Sequence, residues 1–431
     1  MHCAARGAND LAALKATIGA VTTIVLTIFV LVYLGMILGG LPFLQLDRTG
    51  VALLGAIAMI GTEAISVDAA AQAVHLPTVL LLFAFMVVSA QMQLGGFYDW
   101  VTLRLAGLKL GPPGLLAALV VVAGGLSAVF SNDVVCLAVA PVLVEACLRR
   151  RLDPVPFALA LACAANIGSA ATLIGNPQNM LIGQTLQLHF GGYMVEALLP
   201  VAVGLGLTWA LVVLSVRGRW MLADGAAGPG PAEKNAEAVP LDRWQTAKGL
   251  GVAAGVLLAF LFTDWPREVV ALVGAGLLLM SRRMRSSRVL GLVDWELLVL
   301  FVGLFVVNAA LQHTGLPQRL VADIAAHGVH LDQPGPMALA TFVLSNIVSN
   351  VPAVMLLLPV ATHPLDGPLL ALVSTFAGNL FIVGSIANII VVDAARRRGV
   401  VIDWRRHAAL GVPVTLVTLG VVAAYLAWRL G

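Results

Sequence analysis

Two stretches of this chain are written to one pattern. FSNDVVCLAVAPV begins at Phe130 and VSNVPAVMLLLPV at Val348, so Ser131, Asn132 and Pro141 fall on Ser349, Asn350 and Pro359 at a constant offset. A second matched pair follows downstream. NIGSAATLIGNPQNMLI starts at Asn166 and TFAGNLFIVGSIANIIV at Thr375, which places Gly175 and Asn179 on Gly384 and Asn388. In every copy, small and polar residues interrupt apolar, helix-forming sequence. Irregular backbone at membrane depth is tolerated only inside protein or around a cavity, so in a lipid-embedded chain these interruptions mark where solutes and ions are held.

Composition places the chain in a membrane. Of its 431 residues, 60% are hydrophobic and 11% charged, with a mean hydropathy of +0.97, against roughly 25% charged residues in a soluble domain. Runs near the ~20 residues needed to cross the hydrocarbon core occur at 16–34, 49–65, 78–94, 157–186, 195–216, 246–262, 268–280, 295–311, 368–394 and 408–428. The fourth and ninth are broken by the downstream motifs. Two further apolar stretches, 115–148 and 337–361, are split by the Ser-Asn pairs into arms read as too short to cross, and are expected to be re-entrant hairpins.

The expected fold class is therefore an all-α polytopic membrane protein made of two inverted repeats. Each repeat has five spans and one re-entrant hairpin, with a discontinuous helix in each. An odd number of crossings per half turns the second half upside down, the inverted-repeat logic of secondary transporters. The first repeat is expected over 1–216, with hairpin 115–148 cytoplasmic. A Gly-, Ala- and Pro-rich linker follows over 217–245, and the second repeat covers 246–431, with hairpin 337–361 extracytoplasmic. With both termini extracytoplasmic, all of the 25 Lys and Arg residues except Arg6, Lys15, Arg267, Arg319 and Arg429 fall on the cytoplasmic side, as the positive-inside rule requires. The expected location is the cell membrane, inner or plasma, in multi-pass form. Because the net charge of +3 is absorbed by these orientation signals, no nucleic-acid partner is expected. The first apolar run reads as a retained span, not a cleaved signal.

The chemistry of the interruptions follows from helix ends. A helix that stops inside the membrane leaves carbonyls unpaired, and the half-helix that restarts presents unpaired N–H groups, so one end attracts cations and the other anions. Ser131, Asn132, Gly175, Ser349, Asn350 and Gly384 offer the hard, neutral oxygens a sodium ion prefers, and Asp133 adds an ionisable group. Substrate contacts are expected from Ser131, Asn132, Asn176, Pro177, Asn179, Ser349, Asn350, Ser385 and Asn388. Pro177 and Pro352 suit the first turn of the helix that follows, where a missing N–H does no harm. Asp133 reads as a cation or proton carrier, with a helix cap as the structural alternative; its counterpart is Val351.

Other polar and small residues carry less. Gln93, Gln312 and Asn308 either line the cavity or bond helix to helix, and Gly251 with Gly255 reads as a helix-packing pair. Cys3, Cys136, Cys147 and Cys163 show neither disulfide nor zinc spacing. No metal is expected other than sodium as a coupling ion. The eight His residues fall at predicted segment ends or in loops, and no His-Glu-x-x-His, Gly-x-Ser-x-Gly or phosphate-loop pattern is present. No catalytic residue is assigned, and an enzyme is not expected.

The pairing of FSNDVV…AP with NIGSAATLIGNPQN, and of VSNVP…LP with GSIAN, resembles the ion transporter superfamily. That superfamily includes the arsenite permease ArsB, the pink-eyed-dilution-like permeases, citrate transporters and divalent anion/sodium symporters. The resemblance covers nearly the whole chain. It implies a scaffold domain and a mobile transport domain, a homodimer and an elevator-like displacement. In the dicarboxylate symporters each tip reads Ser-Asn-Thr, and Ser131, Asn132, Ser349 and Asn350 match the sodium- and substrate-binding pair. Asp133 and Val351 replace the threonines, which disfavours a carboxylate substrate at the first tip. Asn-Asp there is closer to the arsenite permeases, whose substrate leaves as a neutral hydroxide by proton exchange, although GNLFIVGSIAN follows them only in part.

The resemblance thus implies a secondary transporter of a small anion or oxyanion, arsenite-permease-like, coupled to protons or sodium by alternating access and needing no other cofactor. The alternatives are a sodium/proton antiporter in which Asp133 exchanges the cations, and a sodium-coupled di- or tricarboxylate transporter. Membrane lipid is the surrounding partner, with a cytoplasmic ATPase as a further one if the chain is a subunit of an arsenite pump.

Overall fold

The structure is a computed structural model and describes residues 2–41, 44–222 and 240–430. Most of the expected linker, 223–239, lies outside the described residues. The first half runs α1 (His2–Leu38), a small antiparallel pair of β1 (Gly40–Leu41) and β2 (Leu46–Asp47), α2 (Arg48–Gly61), α3 (Val67–Ala73), α4 (Leu76–Leu94), α5 (Phe97–Ala106), α6 (Pro112–Val129), α7 (Asn132–Arg149), α8 (Pro154–Ser169), α9 (Pro177–Thr185) and α10 (Phe190–Val216). The second half runs α11 (Arg243–Phe262), α12 (Arg267–Leu279), α13 (Ser286–Leu290), α14 (Trp295–His313), α15 (Leu316–Ala326), α16 (Pro334–Val348), α17 (Asn350–Leu357) with a 3-10 turn over Leu358–Val360, α18 (Asp366–Ala377), α19 (Ile386–Arg396) and α20 (Trp404–Leu430).

The element order recurs. Arg48, Val67, Leu76 and Phe97 open α2 to α5, and 219 residues later Arg267, Ser286, Trp295 and Leu316 open α12 to α15. Gly96 and Gly315, both at φ 70°, make the left-handed turn that separates α4 from α5 and α14 from α15, a conformation that a residue with a Cβ adopts only at a steric cost. The first residues of many helices explain where they begin. Asp47, Asp153, Asp242 and Asp294 accept backbone N–H bonds at the starts of α2, α8, α11 and α14, so acidic residues near predicted span ends serve largely as caps.

Among the described residues, seven helices are long and apolar enough to cross a membrane: the Val21–Leu38 part of α1, then α4, α6, α10, α11, α14 and α20. Three expectations change here. The stretch 49–65 forms a helix of only 14 residues, because the backbone turns at Thr62 and takes φ 57° at Glu63 before the apolar residues resume. The run 268–280 is a helix of 13 residues, about 20 Å long, short of the ~30 Å hydrocarbon core. The first arm of hairpin 115–148 is not short: it begins at Pro112, where Gly111 and the prolines at N1 and N2 start a helix of 18 residues, about 27 Å. The Gly251–Gly255 pairing is also corrected. A Cβ on either glycine meets nothing within 4 Å, and the close approaches of α11 are at Gly249, against Met92 of α4, and at Val256, against Gly274 of α12.

The chain divides into two compact units. One combines Met1–Val79 with Asp294–Leu331. In it α2 packs on α14 and α1, and these helices approach closely: a Cβ on Gly303 would sit 2.8 Å from the backbone of Ala52, and one on Gly55 would sit 2.2 Å from Val32. Small residues at such contacts let membrane helices pack by dispersion. Tyr33 Oη donates to Asn308 Oδ1 at 2.9 Å, so Asn308 bonds helix to helix.

The other unit, Leu80–Val293 with Asp332–Gly431, contains both hairpins and both broken helices. Its centre is the pair α8 and α18, buried on nearly every side, as apolar helices without a polar face must be. Arm α6 lies on α8 and α16 on α18, and the second arms pack on both halves, α7 on α8 and α19, and α17 on α18 and α9; α10 packs on α20.

Candidate functional site

Packing of α6 on α8 and of α16 on α18 brings the two motifs of each half together, and the contacts of α7 with α19 and of α17 with α9 join one half to the other. At the first tip the chain leaves α6 at Val129 and restarts as α7 at Asn132, whose N–H donates to the Gly175 carbonyl at 3.1 Å. That bond pins the tip to the break between α8 and α9. The approach is possible only at glycine: a Cβ on Gly175 would lie 2.2 Å from the Ser169 carbonyl oxygen and 2.7 Å from that of Ser127.

Asn166, in the last turn of α8, is the hub. Its Oδ1 accepts from Asn132 Nδ2 at 3.0 Å and from Ser385 Oγ at 2.9 Å. Its Nδ2 donates to Asn379 Oδ1 at 2.9 Å and to Asn388 Oδ1 at 3.2 Å. All four hydrogen-bonding positions of this buried amide are thereby filled, and the first tip is tied to the second break. Asn388 Nδ2 in turn donates to the Gly378 and Phe381 carbonyls at 2.8 and 3.0 Å, and His407 Nε2 lies 3.1 Å from the Asn379 carbonyl.

The predicted residues divide by position. Asn132, Gly175, Ser385 and Asn388 meet around Asn166. Asn176 caps α9 through Oδ1, donates to Ser169 Oγ at 2.9 Å and reaches Thr375 Oγ1 at 3.3 Å; Pro177 follows at N1. Asn179 faces away from the tip, donating to the Thr172 carbonyl at 2.9 Å and Tyr193 Oη at 3.0 Å. Ser131 stands at the N-cap position of α7 without a side-chain capping bond, and Asp133 is half-buried in the first turn, so the cap position belongs to Ser131. Asn350 opens α17 with its Nδ2 about 3.1 Å from where a Gly378 Cβ would stand. Ser349 joins the two arms at φ 79°, ψ 161°, a region that favours glycine, and Gly384 closes the second break beside Gly378.

The polar atoms left over identify what the arrangement can bind. Asn132 Oδ1 and Asn350 Oδ1, one from each tip, are buried without a protein partner. So are Ser127 Oγ and Ser345 Oγ, one turn earlier on the first arms. Buried polar groups in native structures are overwhelmingly paired, so unpaired oxygens at matched positions point to a ligand. Ser127 and Ser345 were not singled out in the sequence, yet their signal is there: both copies read Leu-Ser-x-x-x-Ser-Asn at the same offset as the tips. Asn166, Asn379 and His407 had no such signal, because their counterparts differ. Three of the four helices that restart at the tips and breaks, α7, α17 and α19, begin without a side-chain capping bond and so present donor N–H groups.

The sequence pattern of the citrate transporter family matches residues 24–377 of the chain. The chain is 30% identical over 455 residues to the silicon efflux transporter LSI3 of rice (Oryza sativa subsp. japonica), an alignment covering 88% of this chain and 92% of the relative. It is 28% identical to the inner membrane protein YbiR of Escherichia coli K12, covering 79% and 84% of the two chains. With the putative transporter arsB of Dictyostelium discoideum it shares 21% identity over 87% of this chain and 86% of that one.

Proposed function

This chain belongs to the citrate transporter family and is a multi-pass membrane transporter, and we propose that it carries a small oxyanion or that oxyanion's neutral hydroxide form, coupled to protons or sodium. The observation that carries the reading is the pair of buried, unpartnered asparagine oxygens, Asn132 Oδ1 and Asn350 Oδ1, each at a tip whose restarting helix is uncapped. Acceptor oxygens of this kind suit a sodium ion or the O–H groups of a hydroxide. The uncapped helix starts suit oxyanion oxygens.

The side chains hydrogen-bonded across the tips and breaks are Asn, Ser, Thr, Gln and Tyr, and His407 touches only a backbone carbonyl. No Lys or Arg takes part in these bonds, so a multiply charged carboxylate would be balanced only by the coupling sodium, whereas a neutral or singly charged metalloid hydroxide needs no such balance. The silicon-exporting relative supports the same class. A di- or tricarboxylate is the second reading, favoured by the family's description.

In this reading residues 1–216 and 246–431 are inverted repeats joined by 217–245. Hairpins 115–148 and 337–361 re-enter from the cytoplasmic and extracytoplasmic sides, and alternating access moves the hairpin-bearing part by an elevator-like displacement within a homodimer. Ser131, Asn132, Gly175, Ser349, Asn350 and Gly384 hold the coupling ion. Asn176, Ser385 and Asn388 face the solute, and Asp133 is the coupling carboxylate if a proton is used.

Proteoliposomes test this directly. Arsenite, silicic acid, citrate and succinate are each offered under a sodium gradient and, separately, a pH gradient. The expected result is gradient-driven movement of the hydroxides and none of citrate. Citrate flux with no hydroxide flux would replace the first reading by the second, and sodium/proton exchange with no solute movement would overturn both.

A further inference from the structure

The hairpin-bearing unit holds a cavity of about 700 Å³ that none of the tip or break residues lines. It lies where the turn from α7 to α8, the end of α10 and the turn from α19 to α20 come together. This end of the unit carries Arg149–151, Arg217, Arg396, Arg397 and Arg405 in its turns and the helix ends that flank them, the pattern the positive-inside rule associates with the cytoplasmic leaflet.

One wall is firmly built. After α10 the chain runs antiparallel to the α7–α8 turn through a bridge between Leu152 and Met221. Asp153 N–H donates to the Trp220 carbonyl at 2.8 Å and Leu222 N–H to the Arg151 carbonyl at 2.9 Å. Trp220 is buried, its ring 5.7 Å from that of Phe157. The opposite wall is Arg398–Val401 and the first turns of α20. Val155, Leu159, Val216, Val401 and Leu410 give the cavity an apolar lining.

Its charge is one-sided. Arg219, Arg398 and Arg406 line it against a single carboxylate, Asp153, which accepts from Val155 N–H at the start of α8. Neighbouring arginines pair with carboxylates, Arg396 and Arg397 with Asp393 and Arg149 with Glu145. Among the described residues, the three lining arginines form no ion pair. Arg398 donates to the Ala394 carbonyl at 3.3 Å and Arg406 to the Val401 carbonyl at 3.1 Å, which leaves most of each guanidinium's five N–H donors unused. Asp403, just outside, accepts from the Arg406 backbone N–H at 2.8 Å. Guanidinium forks match phosphate oxygens in geometry as well as charge, and an apolar lining beside them suits a phosphate carried on an apolar body. Basic pockets between membrane helices on the cytoplasmic side take anionic lipid headgroups.

We propose that this cavity is a phosphate-binding site distinct from the transport site, filled by the headgroup of an anionic phospholipid or by the phosphate of a soluble ester. An occupant would join the end of α10 to the turn that follows α19, the helix carrying Asn388 at its other end.

The test uses the full chain purified in neutral detergent and stripped of lipid. Thermal unfolding is followed with phosphatidylglycerol or phosphatidylcholine in mixed micelles and, separately, with glycerol 3-phosphate. Any ligand of the native state raises the midpoint by mass action. Stabilisation by phosphatidylglycerol well above phosphatidylcholine, with none from glycerol 3-phosphate, assigns a lipid headgroup; stabilisation by glycerol 3-phosphate as well assigns a soluble phosphate. Each of Arg219→Gln and Arg406→Gln weakens the response about tenfold, the effect of losing one charge-assisted hydrogen bond. Among the described residues the Arg219 side chain makes no hydrogen bond or ion pair, so Arg219→Gln remains informative if Arg406→Gln, which loses the bond to the Val401 carbonyl, fails to fold. Native mass spectrometry of retained phospholipid gives an independent readout. No response in either arm, or a response in both Arg219→Gln and Arg406→Gln equal to that of the parent protein, overturns the proposal.

Discussion

At the first hairpin tip Asn132 is 5% exposed and every residue over 170–176 is buried, whereas at the second Asn350 is half-buried and the adjoining break exposes Phe381 at 48% and Val383 at 59%. The supporting helices differ in the same sense. Arms α6 and α8 meet glycine to glycine, a Cβ on Gly168 falling 2.3 Å from Gly124; the counterparts in α16 and α18 are Phe342 and Ala377. Ser131 sits at φ −52° and Ser349 at φ 79°. One motif, written twice, is therefore held once by close packing and once in an open, strained form.

The largest expected effects equalise the two copies in transport and separate them in stability. Asn132→Ala and Asn350→Ala each remove one unpartnered acceptor oxygen, and each is expected to abolish solute movement in proteoliposomes. Asn132→Ala also removes a hydrogen bond to the Asn166 hub and should lower stability by about 1–2 kcal/mol. Asn350→Ala is expected to stay within about 0.5 kcal/mol of the parent. Normal transport in both variants would remove the tips from the site; equal destabilisation would erase the contrast between them.

The glycines of the breaks sharpen the comparison next. A Cβ at Gly175 meets two backbone carbonyls at 2.2 and 2.7 Å, neither of which can move without disturbing α6 or α8; at Gly384 the nearest atom, the Gly378 carbonyl oxygen, is 3.0 Å away. Gly175→Ala should therefore lose about 3 kcal/mol or fail to fold, and Gly384→Ala about 1 kcal/mol. Thermal midpoints in detergent decide, and similar losses at the two positions would mean that the first break is no tighter than the second.

The residues in these predictions show what the sequence reveals by repetition and what it hides. Ser131, Asn132, Gly175 and their counterparts were legible because both copies kept them. Asn166 makes more of the connecting bonds than any of these, but its counterpart is Thr375, and that of Asn379 is Ala170, so a search for matched positions passes over both. Ser127 and Ser345 do match; in apolar sequence a lone serine reads as packing until its oxygen is found without a partner. Hydropathy likewise registers how apolar a run is and not where the backbone turns. It carried the second span through Thr62 and Glu63, and it could not register that Gly111 and two prolines start α6 early. The short helices α3, α5, α13 and α15 are too brief to show as apolar runs at all.

Asp133 and Val351, the one chemically unequal pair at the tips, allow a subtler test. If the carboxylate carries the coupling proton, Asp133→Asn flattens the dependence of transport on pH while leaving the protein folded, and Val351→Asn leaves that dependence unchanged. A pH profile that survives Asp133→Asn would take the residue out of coupling and make the tips functionally alike.

The smallest effect concerns strain, and its sign is the informative part. Ser349 occupies a backbone region populated almost only by glycine, at a cost of about 1–3 kcal/mol for another residue. Removing its Cβ in Ser349→Gly relieves that cost, offset by the extra conformational entropy glycine loses on folding, about 0.5–1 kcal/mol. The net expectation is a stabilisation of about 1 kcal/mol, seen as a rise of a few degrees in the unfolding midpoint. Ser131 has a negative φ and stores no such strain, so Ser131→Gly yields only the entropic loss and lowers the midpoint. Opposite shifts at two positions that share a motif would show that the second tip is held under tension in this conformation. If Ser349→Gly destabilises as Ser131→Gly does, the left-handed geometry at the second tip costs nothing, and the contrast between the copies reduces to burial alone.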